Sequence, residues 1–138
     1  MANFDSDWTN DYVGCQFKSK GRDRKGWDCW GLIRVVYKEQ LGIKLPILLG
    51  AYRSAHEMDD IQKLIGNERA GWVEVSEKRE GDVITFRVMG RETHLGLVAP
   101  DGKMLHVIDG TDTCLQPLTS TNWSRRVTGF FRHSQAIS

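Results

Sequence analysis

An α+β fold is predicted by two observations. Helix-period apolar patterns fill the first half of the 138-residue chain, and short apolar runs joined by tight turns fill the second. A third observation sets the domain count: no internal repeat, low-complexity run or Pro/Gly/Ser-rich linker interrupts the chain. Residues 1–138, with 40% hydrophobic content, therefore read as a single domain around one core.

The N-terminal half carries the helices. Cys29, Ile33, Val36, Tyr37 and Leu41 recur at helical spacing. Asp28 suits the cap or first turn, Gly42 the stop, and Pro46 prevents continuation. Ser54 followed by Glu57 is a capping-box pattern, and Met58, Ile61, Leu64 and Ile65 give a second helix its apolar stripe. After Gly81 the period changes. Val83 to Val88, Leu95 to Val98, Met104 to Ile108 and Arg126 to Arg132 read as strands, with Pro100-Asp101-Gly102 and Asp109-Gly110 as turns. Tight turns between consecutive strands imply an antiparallel sheet, packed against the Cys29 helix.

Composition excludes several classes. A net charge of +1 creates no field that would favour nucleic acid or an anionic membrane. The cluster Lys18, Lys20, Arg22, Arg24 and Lys25 reads either as a solvated loop or as a rim facing an anionic polymer. No run approaches the roughly 18 apolar residues of a membrane span. The first residues lack the basic and apolar regions of a signal peptide, so export by that route is not expected. Three cysteines, Cys15, Cys29 and Cys114, cannot all pair within one chain, which leaves at least one free thiol.

Cys29 is the thiol placed for chemistry. A helix start offers unpaired amides and a favourable dipole, which stabilise a thiolate and can receive an oxyanion. Cys29 is accordingly expected to be the reactive cysteine of the three. The alternative is a cysteine that only packs. Among the four histidines, His56 reads as solvated and His133 as part of an exposed tail. His94 and His106 lie on two strands joined by one turn and can be neighbours; register decides whether both face the helix. One can serve a thiol as general base and the other can orient it. No Cys-x-x-Cys or His-x-x-x-His pair is present, so no metal or other cofactor is expected. A nucleophile elbow, a phosphate loop and a dinucleotide fingerprint are also absent.

Five blocks in order resemble the NlpC/P60 cysteine peptidases: Tyr12-Val13-Gly14, Asp28-Cys29-Trp30-Gly31-Leu32, Gly81-Asp82-Val83-Ile84-Thr85-Phe86, Thr93-His94-Leu95-Gly96-Leu97 and Leu105-His106-Val107. The resemblance covers the chain from about Tyr12 to Arg132. It implies a papain-like α+β fold, with helices first and the nucleophile at a helix start packed on a C-terminal antiparallel sheet. Cys29 would be the nucleophile, His94 the general base and His106 its orienting residue. Tyr12 would sit beside the nucleophile and assist the oxyanion or substrate, and Asp28 would help hold a substrate amine. Trp30 stands where many members carry Ser, in a substrate subsite. The implied substrate is a peptidoglycan stem peptide, cut at the link between D-glutamate and a diamino acid. The Trp30 version of the motif, Leu45-Pro46 and the ending Gly129-Phe130-Phe131-Arg132 resemble the subgroup carried by tailed phages and phage-like particles. That implies a tail location and tail proteins as partners, with neither nucleic acid nor membrane. Two other readings stay open: a structural tail-tip or assembly component with a silent site, and an amidase or acyltransferase on another substrate.

Overall fold

The computed structural model describes residue 4 and residues 7–46, 71–88 and 90–136. The helix expected from Ser54 onward lies outside the described residues. Helix α1 spans Cys29–Val36. Asp28 caps it with an extended backbone, and its carboxylate accepts the Gly31 N–H at 2.8 Å, satisfying a donor that the first turn leaves unpaired. The inward face is Cys29, Trp30, Leu32, Ile33 and Val36, all buried. A π-helical turn, Tyr37–Leu41, follows, and Gly42 ends it in the left-handed region at φ 68°, as expected of a C-terminal glycine.

A small hairpin, β1 (Arg22–Asp23) and β2 (Gly26–Trp27), precedes α1. The main sheet contains β3 (Trp72–Val75), β4 (Val83–Val88), β5 (Arg91–Ala99), β6 (Lys103–His106), β7 (Cys114–Pro117) and β8 (Val127–His133). Their order is β3-β8-β4-β5-β6-β7, and every pairing is antiparallel. A short helix α2, Thr121–Ser124, leads into β8. Among the described residues, no helix is long and apolar enough to cross a membrane.

Alternation along the strands builds two cores. Val83, Leu95, Leu97, Leu105 and Phe131 pack with α1 and with Trp8, Tyr12 and Trp27. Ile84, Phe86, Val98, Met104 and Leu118 form the core of the opposite face, against which Trp123, Val127 and Phe130 pack. The β1–β2 hairpin, β3 and β7 are short, and none was anticipated from the sequence. His133 was expected in an exposed tail; it is buried at the end of β8, paired with Trp72 on β3 and meeting its ring edge-on.

The glycine after Cys29-Trp30 is a packing requirement. A Cβ at Gly31 would stand 2.1 Å from the Gly21 carbonyl oxygen, because the loop before β1 crosses the helix there. Gly31→Ala must push backbone from backbone and is expected to cost about 3 kcal/mol in denaturant unfolding. Gly42→Ala meets nothing within 4 Å and is expected to cost about 1 kcal/mol, from its positive φ alone.

The Gly81-Asp82 block has a partner at the far end of the chain. Arg132 donates Nε to Asp82 Oδ1 at 2.8 Å and Nη2 to Asp82 Oδ2 at 2.7 Å. The Arg79 amide donates to the same carboxylate. Asp82 is buried, so removing the guanidinium leaves a desolvated charge with less to answer it. Arg132→Ala is expected to destabilise by about 3 kcal/mol, again read by denaturant unfolding. Arg132→Lys should recover only part, because an ammonium cannot make the two-point contact.

Candidate active site

Cys29 opens α1 and is 4% exposed. The backbone amides of Leu95, on β5, and of the adjacent Trp30 lie near enough to the thiol to favour its charged form. The thiol therefore meets β5 at its backbone, one residue from His94. The His94 ring projects on the face opposite Leu95. It lies 5.3 Å from Phe86 and 5.2 Å from Trp123, centroid to centroid. The register thus answers the question left by the sequence: both histidines point to one side, and that side is the Phe86–Trp123 face rather than the one covered by α1.

The two rings are joined. His94 Nε2 and His106 Nδ1 are 2.9 Å apart, and His106 Nε2 is hydrogen-bonded to Gln116 Oε1 on β7. Trp123 lies across the pair, its centroid 4.9 Å from that of His106. Continuing the β5–β6 register sets His106 beside Gly96. A Cβ there would stand 3.2 Å from Phe86 Cε2 and 3.4 Å from His106 Cβ. The glycine two places after His94 thus leaves room for the second histidine.

Burial, ahead of the neighbouring Asp28, pushes the Cys29 thiol up to about 12, against the opposing pull of the two amides and Arg22. Burial, and next the neighbouring His106, holds His94 well below its ordinary 6.5. Burial also lowers His106, with the Gln116 hydrogen bond opposing. The resting pair is consequently a thiol and a neutral imidazole. The expectation of a thiolate prepared by the helix start is corrected: loss of solvent outweighs the dipole. Cys15 and Cys114 are half-buried, so the resting Cys29 is the least accessible of three free thiols. Iodoacetamide without substrate should therefore label Cys15 and Cys114 first, as read by peptide mass mapping.

These shifts set a pH window for stability. The folded state disfavours protonation of His94, so the unfolded chain binds more protons once the pH falls below about 6.5, and stability drops on the acid side. The folded state retains the Cys29 proton up to about 12, against an ordinary 9.0, so stability also falls as pH rises from 9.0 toward 12. Urea midpoints measured across pH check both limbs. Substituting His94 by a residue that does not titrate should make the acid one shallower, leaving the part that the buried His106 and His133 contribute.

The remaining expected site residues lie elsewhere or are otherwise engaged. Asp28 is fully buried. Its carboxylate takes the Gly31 amide, the Lys20 amide and Arg22 Nη1. It is a cap and an anchor for the preceding loop rather than a group presented to a substrate amine. Trp30 is also buried, with its indole N–H on the Pro46 carbonyl at 2.9 Å; it pins the chain after α1 instead of lining a subsite. The Tyr12 hydroxyl donates to Glu39 and accepts from Gln40. The basic loop is partly spent on structure, since Arg22 pairs with Asp28 and Arg24 with Glu39. Gln116 and Trp123 were not identified as site residues from sequence.

A sequence profile described as the NlpC/P60 family matches residues 14–132. The chain belongs to the NlpC/P60 family. Among curated relatives, this NlpC/P60 chain is 24% identical over 116 residues to the murein DD-endopeptidase MepS/murein LD-carboxypeptidase of Escherichia coli K12, covering 84% of the chain and 54% of that protein. The chain thus spans about half the length of that relative. Among solved structures it resembles the NlpC/p60 domain of the peptidoglycan hydrolase SagA, with TM-score 0.62 and 20% identity over 90% of this chain and 92% of that one. It also resembles RipD of Mycobacterium tuberculosis, described as a non-catalytic NlpC/p60 protein adapted to peptidoglycan binding, with TM-score 0.54, 22% identity and 88% coverage of each chain. The expected α+β NlpC/P60 fold, a helix on an antiparallel sheet, is the fold observed.

Proposed function

We propose that this NlpC/P60 domain is a cysteine peptidase of peptidoglycan stem peptides, cutting the link between D-glutamate and a diamino acid. Cys29 is the nucleophile, His94 the general base and His106 the residue that orients it. The observation that carries the reading is the placement of the Cys29 sulfur, at a helix start and near the amide adjoining His94, whose ring is held by His106. The relatives named for murein and peptidoglycan support the substrate class.

The chemistry follows from the neutral resting pair. His94 takes the thiol proton at Nδ1 as sulfur attacks the carbonyl carbon. In the resting structure the His94 ring projects on the side of β5 opposite the face that α1 covers. This transfer therefore requires a substrate complex in which the thiol and Nδ1 come within reach, directly or through one water. A backbone N–H at the α1 start receives the developing oxyanion. The C–N bond then breaks, and the leaving amine takes the proton from His94. Water, deprotonated by His94, hydrolyses the thioester, which releases the acid and restores the thiol. No step draws on a metal. Chelation should leave turnover unchanged, whereas alkylation of Cys29 should stop it; loss in EDTA that zinc restores would overturn the scheme.

A second reading is a binding or tail-tip component with a silent site. The burial of Cys29 favours it, and RipD shows that the fold can be described as non-catalytic. Retention of the chain on peptidoglycan without product release would select it. For location, we infer a phage tail or phage-like particle with tail proteins as partners. The Asp28-Cys29-Trp30-Gly31 block and the Gly129-Phe130-Phe131-Arg132 ending support this by their resemblance to that subgroup. Proteomics of purified particles tests it, and intact particles lacking the chain would overturn it.

A further inference from the structure

We propose that Gln116 is a positioning residue that dictates which nitrogen of each histidine carries the proton. The inference rests on the reading of His94 as general base and extends it by one residue along the chain of hydrogen bonds. A base can take the thiol proton only through a bare nitrogen. Nε2 of His94 is committed to His106, so Nδ1 must be the bare one. Heavy-atom geometry between two neutral rings allows two proton arrangements, and they run in opposite directions. Either His94 Nε2–H donates to His106 Nδ1, or His106 Nδ1–H donates to His94 Nε2. The second arrangement puts the only proton of a neutral His94 on Nδ1 and leaves it unable to act.

The far end of the chain decides. Gln116 presents Oε1, which only accepts, to His106 Nε2. His106 Nε2 must then carry the hydrogen. A neutral His106 has no second one, so its Nδ1 is a lone pair. The hydrogen between the rings, across 2.9 Å, consequently belongs to His94 Nε2. His94 Nδ1 is left bare, and the resulting imidazolium keeps the same bond after the thiol proton arrives. Trp123 lies over both rings and Phe86 over His94. His94 and His106 are buried to 6% and 1% exposure, so water is largely kept from supplying a substitute donor or acceptor.

The test reads the protons directly, without substrate. Long-range 1H–15N correlation spectra of the labelled protein report the tautomer of each ring. Wild type should show Nε2–H on both His94 and His106. Gln116→Glu keeps a pure acceptor and should preserve that state. Gln116→Leu removes the acceptor and should give mixed tautomers, with kcat on stem peptides lowered in proportion to the Nδ1–H fraction of His94, about twofold where the two tautomers are equal, and KM little changed. Nδ1–H on His94 in the wild type overturns the proposal, and this outcome does not depend on whether any variant folds. So does an unaltered Nε2–H pattern in folded Gln116→Leu. If the tautomers behave as stated while His94→Ala keeps its turnover, the general-base reading fails and the assignment of proton placement to Gln116 stands.

Discussion

Cys29→Ala is expected to lower the rate of stem-peptide release from purified peptidoglycan by at least about a thousandfold, on the order of 4 kcal/mol of transition-state stabilisation. Thioester formation requires that sulfur, and nothing else at the α1 start replaces it. Cys29 also packs among Trp27, Leu32 and Leu95 in the larger core. Loss of activity therefore has to be separated from loss of fold. Cys29→Ser serves that purpose: it keeps the volume and exchanges a thiol for a poorer nucleophile. Near-wild-type unfolding midpoints for Cys29→Ser together with lost turnover are the expected result. Substantial turnover by folded Cys29→Ala would remove covalent catalysis from the account.

His94→Ala should cost about 10^2- to 10^4-fold in kcat, the range of a positioned general base. His106→Asn should cost less, by about an order of magnitude. The two residues share a hydrogen bond but not a job. His94 exchanges a proton with sulfur and with the leaving amine in every turnover, whereas His106 holds a ring. An asparagine at position 106 can still accept the His94 Nε2–H through Oδ1. The reversed order of damage, measured under substrate saturation with folded variants, would mean that the base has been misassigned.

The helix and the pair of histidines were legible because their signals are local. Asp28 before an apolar stripe that ends at Gly42 announces a capped helix. Apolar alternation and the Pro100-Asp101-Gly102 turn put His94 and His106 on adjoining strands. What escaped depended on contacts between distant segments. Gln116 lies on β7, four residues of Cys-Leu-Gln-Pro with no fully buried position, and such a strand carries no alternation strong enough to reveal itself. Trp123 could be seen as an aromatic residue, but only the return of the chain through α2 brings it over the histidines. Asp28, Trp30 and Tyr12 were given substrate roles through motif resemblance. Residue identity stated what each could do, while the fold had already engaged each polar group: Asp28 with the Gly31 amide and Arg22, Trp30 with Pro46, Tyr12 with Glu39 and Gln40. The resting protonation of Cys29 was missed for a related reason. A helix start is visible in sequence, but the burial that opposes its dipole is a property of the assembled core.

The central claim is that Cys29 and His94 open peptide bonds within the peptidoglycan stem. Digestion of purified peptidoglycan, with products identified by mass spectrometry, tests it most directly. The account predicts fragments severed between D-glutamate and the diamino acid, formed by the wild type and absent with Cys29→Ala. Intact stem peptides after prolonged incubation with folded wild type, or cuts confined to the glycan strand, would contradict it.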